Sequence, residues 1–114
     1  MKSYRIVNLE AGMPTAADAM ALLGREIRLA KRHGLAAVKL IHGFGSTGKG
    51  GRIRVAARRE LEALQKRGYV QCMIPGERLS IFDADTRRAL ACCPDLRRDP
   101  DLERHNNGVT LVLL

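Results

Sequence analysis

The sequence predicts an α/β fold: a two-layer α/β sandwich whose mixed sheet of about four strands is built on a βαβ core with two main helices. Three observations predict it. Short apolar runs alternate with stretches whose apolar residues recur every three or four positions, the pattern of strands alternating with amphipathic helices. Strand, helix and strand succeed one another within about forty residues, the length of a right-handed βαβ unit with parallel strands. The chain closes on VTLVLL, an uninterrupted apolar run suited to a buried strand.

Each element has a local cause. Residues 4–9, YRIVNL, read as the first strand. GMPT breaks it, and Thr15 is placed to cap a helix, with Asp18 three residues on in a variant of the capping box. Ala16, Met20, Leu23, Ile27 and Ala30 then share one helical face, and KRHG ends the helix with cations in its last turn and Gly34 at C′. This helix is expected over residues 16–33. AAVKLI is the second strand. The next helix is expected over 51–67, with Ile53, Ala57, Leu61 and Leu64 as its buried stripe and Gly68 closing it.

YVQCMI makes a third strand, PGE a turn, and RLSIF a short strand or arm. DTRRALACC reads as a short helix capped by Asp83 or Asp85. PDLRRDPDLERHNNG is polar and rich in turn formers, so residues 84–107 are expected to make a long surface excursion. The final run, 109–114, belongs at the centre of the sheet. Neither an internal repeat nor a low-complexity segment interrupts this order, and 114 residues make one domain, 1–114.

Composition narrows the function. Lysine and arginine exceed aspartate and glutamate by 20 − 12 = 8 charges. A domain this basic favours polyanions, with DNA, RNA and the ribosome first among candidates, because the cations gather near a glycine-rich loop. Only Tyr4, Phe44, Tyr69 and Phe82 are aromatic, so the core is aliphatic and backbone contacts should dominate over base stacking. No apolar stretch is long enough to span a membrane, and MKSYRIVNLEAG lacks the apolar core of a signal peptide. A cytoplasmic location and no membrane partner are expected. The three cysteines, Cys72, Cys92 and Cys93, are odd in number and lack metal-ligand spacing, which suits reduced thiols.

The densest signal is VKLIHGFGSTGKGGRIR. Gly43 to Lys49 fits G-x-x-x-x-G-K, yet a P-loop needs a hydroxyl at the next position to ligate magnesium, and Gly50 stands there. Nucleotide hydrolysis is therefore not expected. The physics of the loop remains: glycines let backbone N–H groups converge, and the following helix adds free donors and a positive dipole end. Gly43, Gly45, Ser46, Thr47, Lys49, Gly50, Arg52, Arg54 and Arg58 form the predicted anion-binding set, with Arg58 one turn beyond Arg54. The plain alternative is a tight strand-to-helix turn carrying solvated cations.

LIHGFGSTGKGGRIR resembles the His-Gly-x-Gly segment of the small MutS-related, or Smr, domain. PTAADAM resembles the helix start after that domain's first strand, and NNGVTLVLL its closing strand, so the likeness runs through nearly the whole chain in order. It implies a compact α/β sandwich similar to the C-terminal domain of bacterial translation initiation factor three. It also implies binding of DNA or RNA, and in several members the nicking of DNA or cleavage of RNA. His42, Gly43, Phe44 and Gly45 occupy the second family motif. The first, Leu-Asp-x-His, falls on Val7, Asn8, Leu9 and Glu10, where both polar residues have changed.

That change bears on chemistry. Phosphodiester cleavage uses one group to take a proton and another to give one, roles that two histidines can divide near neutral pH. Glu10 puts a carboxylate beside an anionic substrate, unless a divalent metal intervenes; no other cofactor is expected. His42 is the remaining candidate acid or base, and its alternative role is to order the turn by hydrogen bonding. His33, ending a helix, and His105, in the excursion, take no catalytic role. Three readings follow in order: a nucleic-acid-binding domain, an endonuclease using His42 with Glu10, and an anion- or protein-interaction module.

Overall fold

The computed structural model describes residues 3–43 and 49–114, with Lys49 and Gly50 described in their backbone alone. Strand β1 spans Tyr4–Asn8, helix α1 Ala16–Arg32, β2 Ala37–Ile41 and α2 Lys49–Lys66. Strand β3 spans Cys72–Pro75, helix α3 Ala84–Cys92 and β4 Val109–Leu113, with 3₁₀ turns at Gly76–Arg78 and Pro94–Arg98. The strands form one mixed sheet in the order β1-β2-β4-β3. β1 and β2 are parallel, as the βαβ reading requires, and β4 runs antiparallel to both β2 and β3. The closing strand is thus central.

The predicted helices form for the predicted reasons. Thr15 is the N-cap of α1, its hydroxyl accepting from the Asp18 amide at 3.1 Å. Both long helices end in paired reverse bonds: Leu35 N to Ala30 O with Gly34 N to Lys31 O, and Tyr69 N to Leu64 O with Gly68 N to Gln65 O. The stripe Ile53, Ala57, Leu61 and Leu64 is buried, as are Leu23, Ile27 and Ala30 of α1. These residues meet Val7, Val38, Leu40 and Val112 on one face of the sheet.

The segment read as a polar excursion does more than cross the surface. Asp83 caps α3, accepting from the Thr86 amide at 2.9 Å. Leu79, Ala89, Leu90, Cys93 and Leu96 then pack on Ala37, Ile74, Leu111 and Leu113, covering the other face of the sheet. Gly76 makes this closure possible, because a Cβ there would fall 1.9 Å from the Asn106 carbonyl. RLSIF runs from the end of the 3₁₀ turn at Arg78 through a bend and a turn rather than a strand, and β3 is shorter than YVQCMI, with residues 69–71 outside it. Proline ends β3, and Leu79 to Asp83 is tied to the Glu103 region instead of to a strand edge. Helix α2 also begins two residues earlier than expected, at Lys49.

The second face holds a group the apolar pattern does not announce. Lys39, in the middle of β2, is 3% exposed and donates to Asp99 Oδ1 at 2.8 Å. It also pairs with Asp101, while Tyr4 donates to Asp99 Oδ2 at 2.7 Å and Asn106 to Asp101 Oδ1 at 2.9 Å. Burial works to lower the Lys39 pKa, yet the hydrogen bonds to Asp101 and Asp99 outweigh it and raise it. Asp101 shows the reciprocal: burial opposes its ionisation, but Lys39 holds its carboxyl below the usual range. Among the described residues, no helix is long and apolar enough to cross a membrane.

Candidate nucleic-acid interface

The C-terminal end of β2 leads into the glycine-rich segment, and β1 ends beside it. The Leu9 amide continues the sheet by donating to Ile41 O at 2.7 Å. Asn8 then turns the chain, its Oδ1 accepting from the Glu10 amide at 3.0 Å. This places the exposed Glu10 carboxylate against Gly43, where an added Cβ would meet Oε2 at 2.5 Å. Gly43 has φ +74, a left-handed conformation, so the backbone calls for glycine there, while the exposed end of Glu10 could swing aside. Two elements distant in sequence therefore bring Glu10 and the His42–Gly43 turn together.

His42 itself is fully buried. Its Nδ1 lies 2.7 Å from Gly43 O and its Nε2 2.8 Å from Thr110 Oγ1. The partners assign the tautomer: a carbonyl accepts only, so Nδ1 carries the proton and Nε2 accepts from the threonine hydroxyl. Thr110 in turn accepts from Arg58 Nε at 3.1 Å. Burial, aided by Arg58 and Arg54, lowers the His42 pKa and favours this neutral form. The amides of His42 and Gly43 both donate to Gly108 O at 3.0 Å. In this arrangement neither ring nitrogen is available to a substrate, and the ring braces the turn against β4.

Arg58 is placed differently from the sequence expectation. Its Nη1 and Nη2 grip Glu77 at 2.9 and 2.7 Å, and Nη2 also reaches the carbonyls of Asn107 and Val109 at 3.3 Å. Burial opposes ionisation of Glu77, but Arg58 outweighs it and holds its carboxyl below the usual range. Oriented by these hydrogen bonds, Arg58 joins α2 to β4 and the 3₁₀ turn at Gly76–Arg78. Arg52 is exposed and Arg54 half-buried, and neither makes an ion pair among the described residues. Arg59, absent from the sequence-derived set, lines the same open surface as Arg52, Arg54 and Val55. Its seven-residue spacing from Arg52, two helical turns, was the available signal.

Gly45, Ser46 and Thr47 lie outside the described residues, as does the side chain of Lys49, and Gly50 is described in its backbone alone. The first turn of α2 contains no acidic residue, so nothing acidic there competes with an incoming anion. Among the described residues, no three His, Cys, Asp or Glu side chains gather as a metal would require. Cys72 and Cys93 are buried, and burial pushes both thiols up, away from the reactive thiolate. His33 is the C-cap of α1, and His105 is exposed with Nδ1 3.3 Å from Glu77 O.

No family model matches the chain, and no curated protein does. Among solved structures it is similar to the Smr domain of Thermus thermophilus MutS2, with a TM-score of 0.55 and 22% sequence identity. The likeness covers 98% of this chain and 96% of that one. The chain is Smr-like in fold over 98% of its length.

Proposed function

We propose that this domain binds DNA or RNA through the phosphodiester backbone, on the surface where the glycine-rich segment enters α2. The observation that carries the reading is the outward side of that helix start: Arg52, Arg54 and Arg59 line it, and no acidic residue occupies the first turn. The net charge of +8 and the likeness to a domain of MutS2 support the same reading. Lys49 adds to the cationic set by sequence. Arg58 serves as the brace that fixes this surface, not as a phosphate contact.

The endonuclease alternative needs His42 to exchange a proton with substrate, and both its nitrogens are engaged inside the fold. Glu10 lies near the turn, but with His42 engaged it has no second group with which to divide the two proton transfers. Binding without cleavage is the better account.

Fluorescence anisotropy with labelled single- and double-stranded RNA and DNA tests it. Arg52→Ala with Arg54→Ala is expected to weaken binding alike for unrelated sequences. It should also flatten the plot of log affinity against log salt by about 0.9 for each duplex phosphate no longer neutralised. Unchanged affinity and slope would remove the proposed surface. Sustained cleavage by the wild type that Glu10→Gln abolishes would favour the endonuclease instead.

A further inference from the structure

The C-terminal halves of α1 and α2 enclose an open groove of about 620 Å³, away from the arginine surface at the start of α2. Its volume lies in the range of small-ligand pockets, roughly 300–1,000 Å³. The floor is apolar, from buried Ile27 and Leu64. Arg28, Lys31 and Arg67 supply three cations against the one carboxylate of Glu60, an excess of two positive charges. Neither Arg28 nor Arg67 makes an ion pair among the described residues.

Two details give the groove its shape. Gly24 sits inside α1, where glycine is a poor helix former, and a Cβ there would come within 3.3 Å of Arg28 Nη1. The guanidinium of the exposed Arg28 lies along that wall. Tyr69, one-third exposed, forms the other wall. Lys31 donates to the Tyr69 carbonyl and lies 3.9 Å from the ring centroid, which fixes the ring and occupies one of its faces.

We propose that this groove is a nucleotide site, taking a nucleoside phosphate with its base against the face of Tyr69 that Lys31 leaves free and its phosphate between Arg28 and Arg67. A phosphate monoester carries about −1.5 to −2 charges near neutral pH, which the groove's excess complements. An aromatic wall suits a base, whose stacking on a protein ring tolerates any base identity. An acidic peptide would match the charge but not use the ring. The site stands apart from the arginine surface at the other end of α2, and the same chemistry is offered by a free nucleotide or by one nucleotide of a strand.

NMR of the ¹⁵N-labelled protein tests this, with AMP, adenosine, inorganic phosphate, a short oligothymidylate and a poly-glutamate peptide as probes. AMP or the oligothymidylate is expected to shift the amides of Gly24, Gly68 and Tyr69. Adenosine and phosphate alone should bind at least about tenfold more weakly than AMP, since each keeps only part of the interactions. Arg28→Ala with Arg67→Ala, and separately Tyr69→Leu, should each weaken binding about tenfold in a protein that melts as the wild type does. A response to AMP identifies a free nucleotide, and one to the oligothymidylate alone identifies a strand. Arg52→Ala with Arg54→Ala should leave AMP binding unchanged, which separates this site from the proposed backbone surface. The proposal fails if neither nucleotide probe shifts the groove, if the Arg28 and Arg67 variant binds as well as wild type, or if only the peptide responds.

Discussion

The two faces of the sheet are closed in different ways. Under α1 and α2 the contacts are aliphatic, with Val7, Val38 and Leu40 meeting Leu23, Ile27 and Leu61. Under residues 76–106 the aliphatic cluster is joined by a buried ion cluster, Lys39 with Asp99 and Asp101, anchored to Tyr4. Apolar closure is tolerant, since many residues of suitable size fill such a space. A buried ammonium is not tolerant: only a segment that brings carboxylates to that point satisfies it. Helices α1 and α2 thus pack by stripe, whereas the second cover is located by charge.

Breaking the ion cluster is the largest expected effect. Lys39→Met would leave Asp99, whose side chain is 1% exposed, without its cation. Removing one partner of a buried pair typically costs about 3–5 kcal/mol, measured as a shift in the urea midpoint. Adding Asp99→Asn should recover part of that loss, because the remaining buried charge is removed. If Lys39→Met were neutral, the second cover would be apolar in substance and the contrast would fall.

On the first face, Leu61→Ala removes a fully buried side chain and is expected to cost about 2–5 kcal/mol by the same measurement. The two faces should also part on titration. The His42 pKa is lowered in the fold, so its contribution is fully present above the ordinary value of 6.5 and is lost as pH falls toward the folded value. The Asp101 pKa is also lowered, and its contribution disappears only as pH falls from 3.8 through its folded value. Melting temperature should therefore decline as pH falls below 6.5 because of His42, and His42→Gln should flatten that decline. An unaltered slope in the variant would assign it to another group.

Much of the fold was legible in local pattern. Thr15, the stripe of α2 and the reverse bonds at Gly34 and Gly68 are decided within a few residues of one another, so the chain states them directly. The cover of the second face was less legible, because its apolar residues Leu79, Leu90 and Leu96 are interleaved with charge. One signal was present: a lysine inside AAVKLI, a run apolar enough to be buried on both faces, demands an acidic partner. The Asp-Pro-Asp at residues 99–101 supplies it.

By itself the sequence determined the βαβ order, the helix limits within a residue or two, the central closing strand, and the excess of positive charge near the glycine-rich segment. The tertiary structure decided which polar side chains face water and which are built in. Arg58 and Arg54 sit one turn apart and read alike, yet Arg58 meets Glu77 and Thr110 while Arg54 has no ion partner among the described residues. His42 reads as an acid or base until Thr110, 68 residues away, takes its second nitrogen. The reason is physical: periodicity reports contacts a few residues apart, whereas a buried hydrogen bond depends on which distant segment the fold sets beside it.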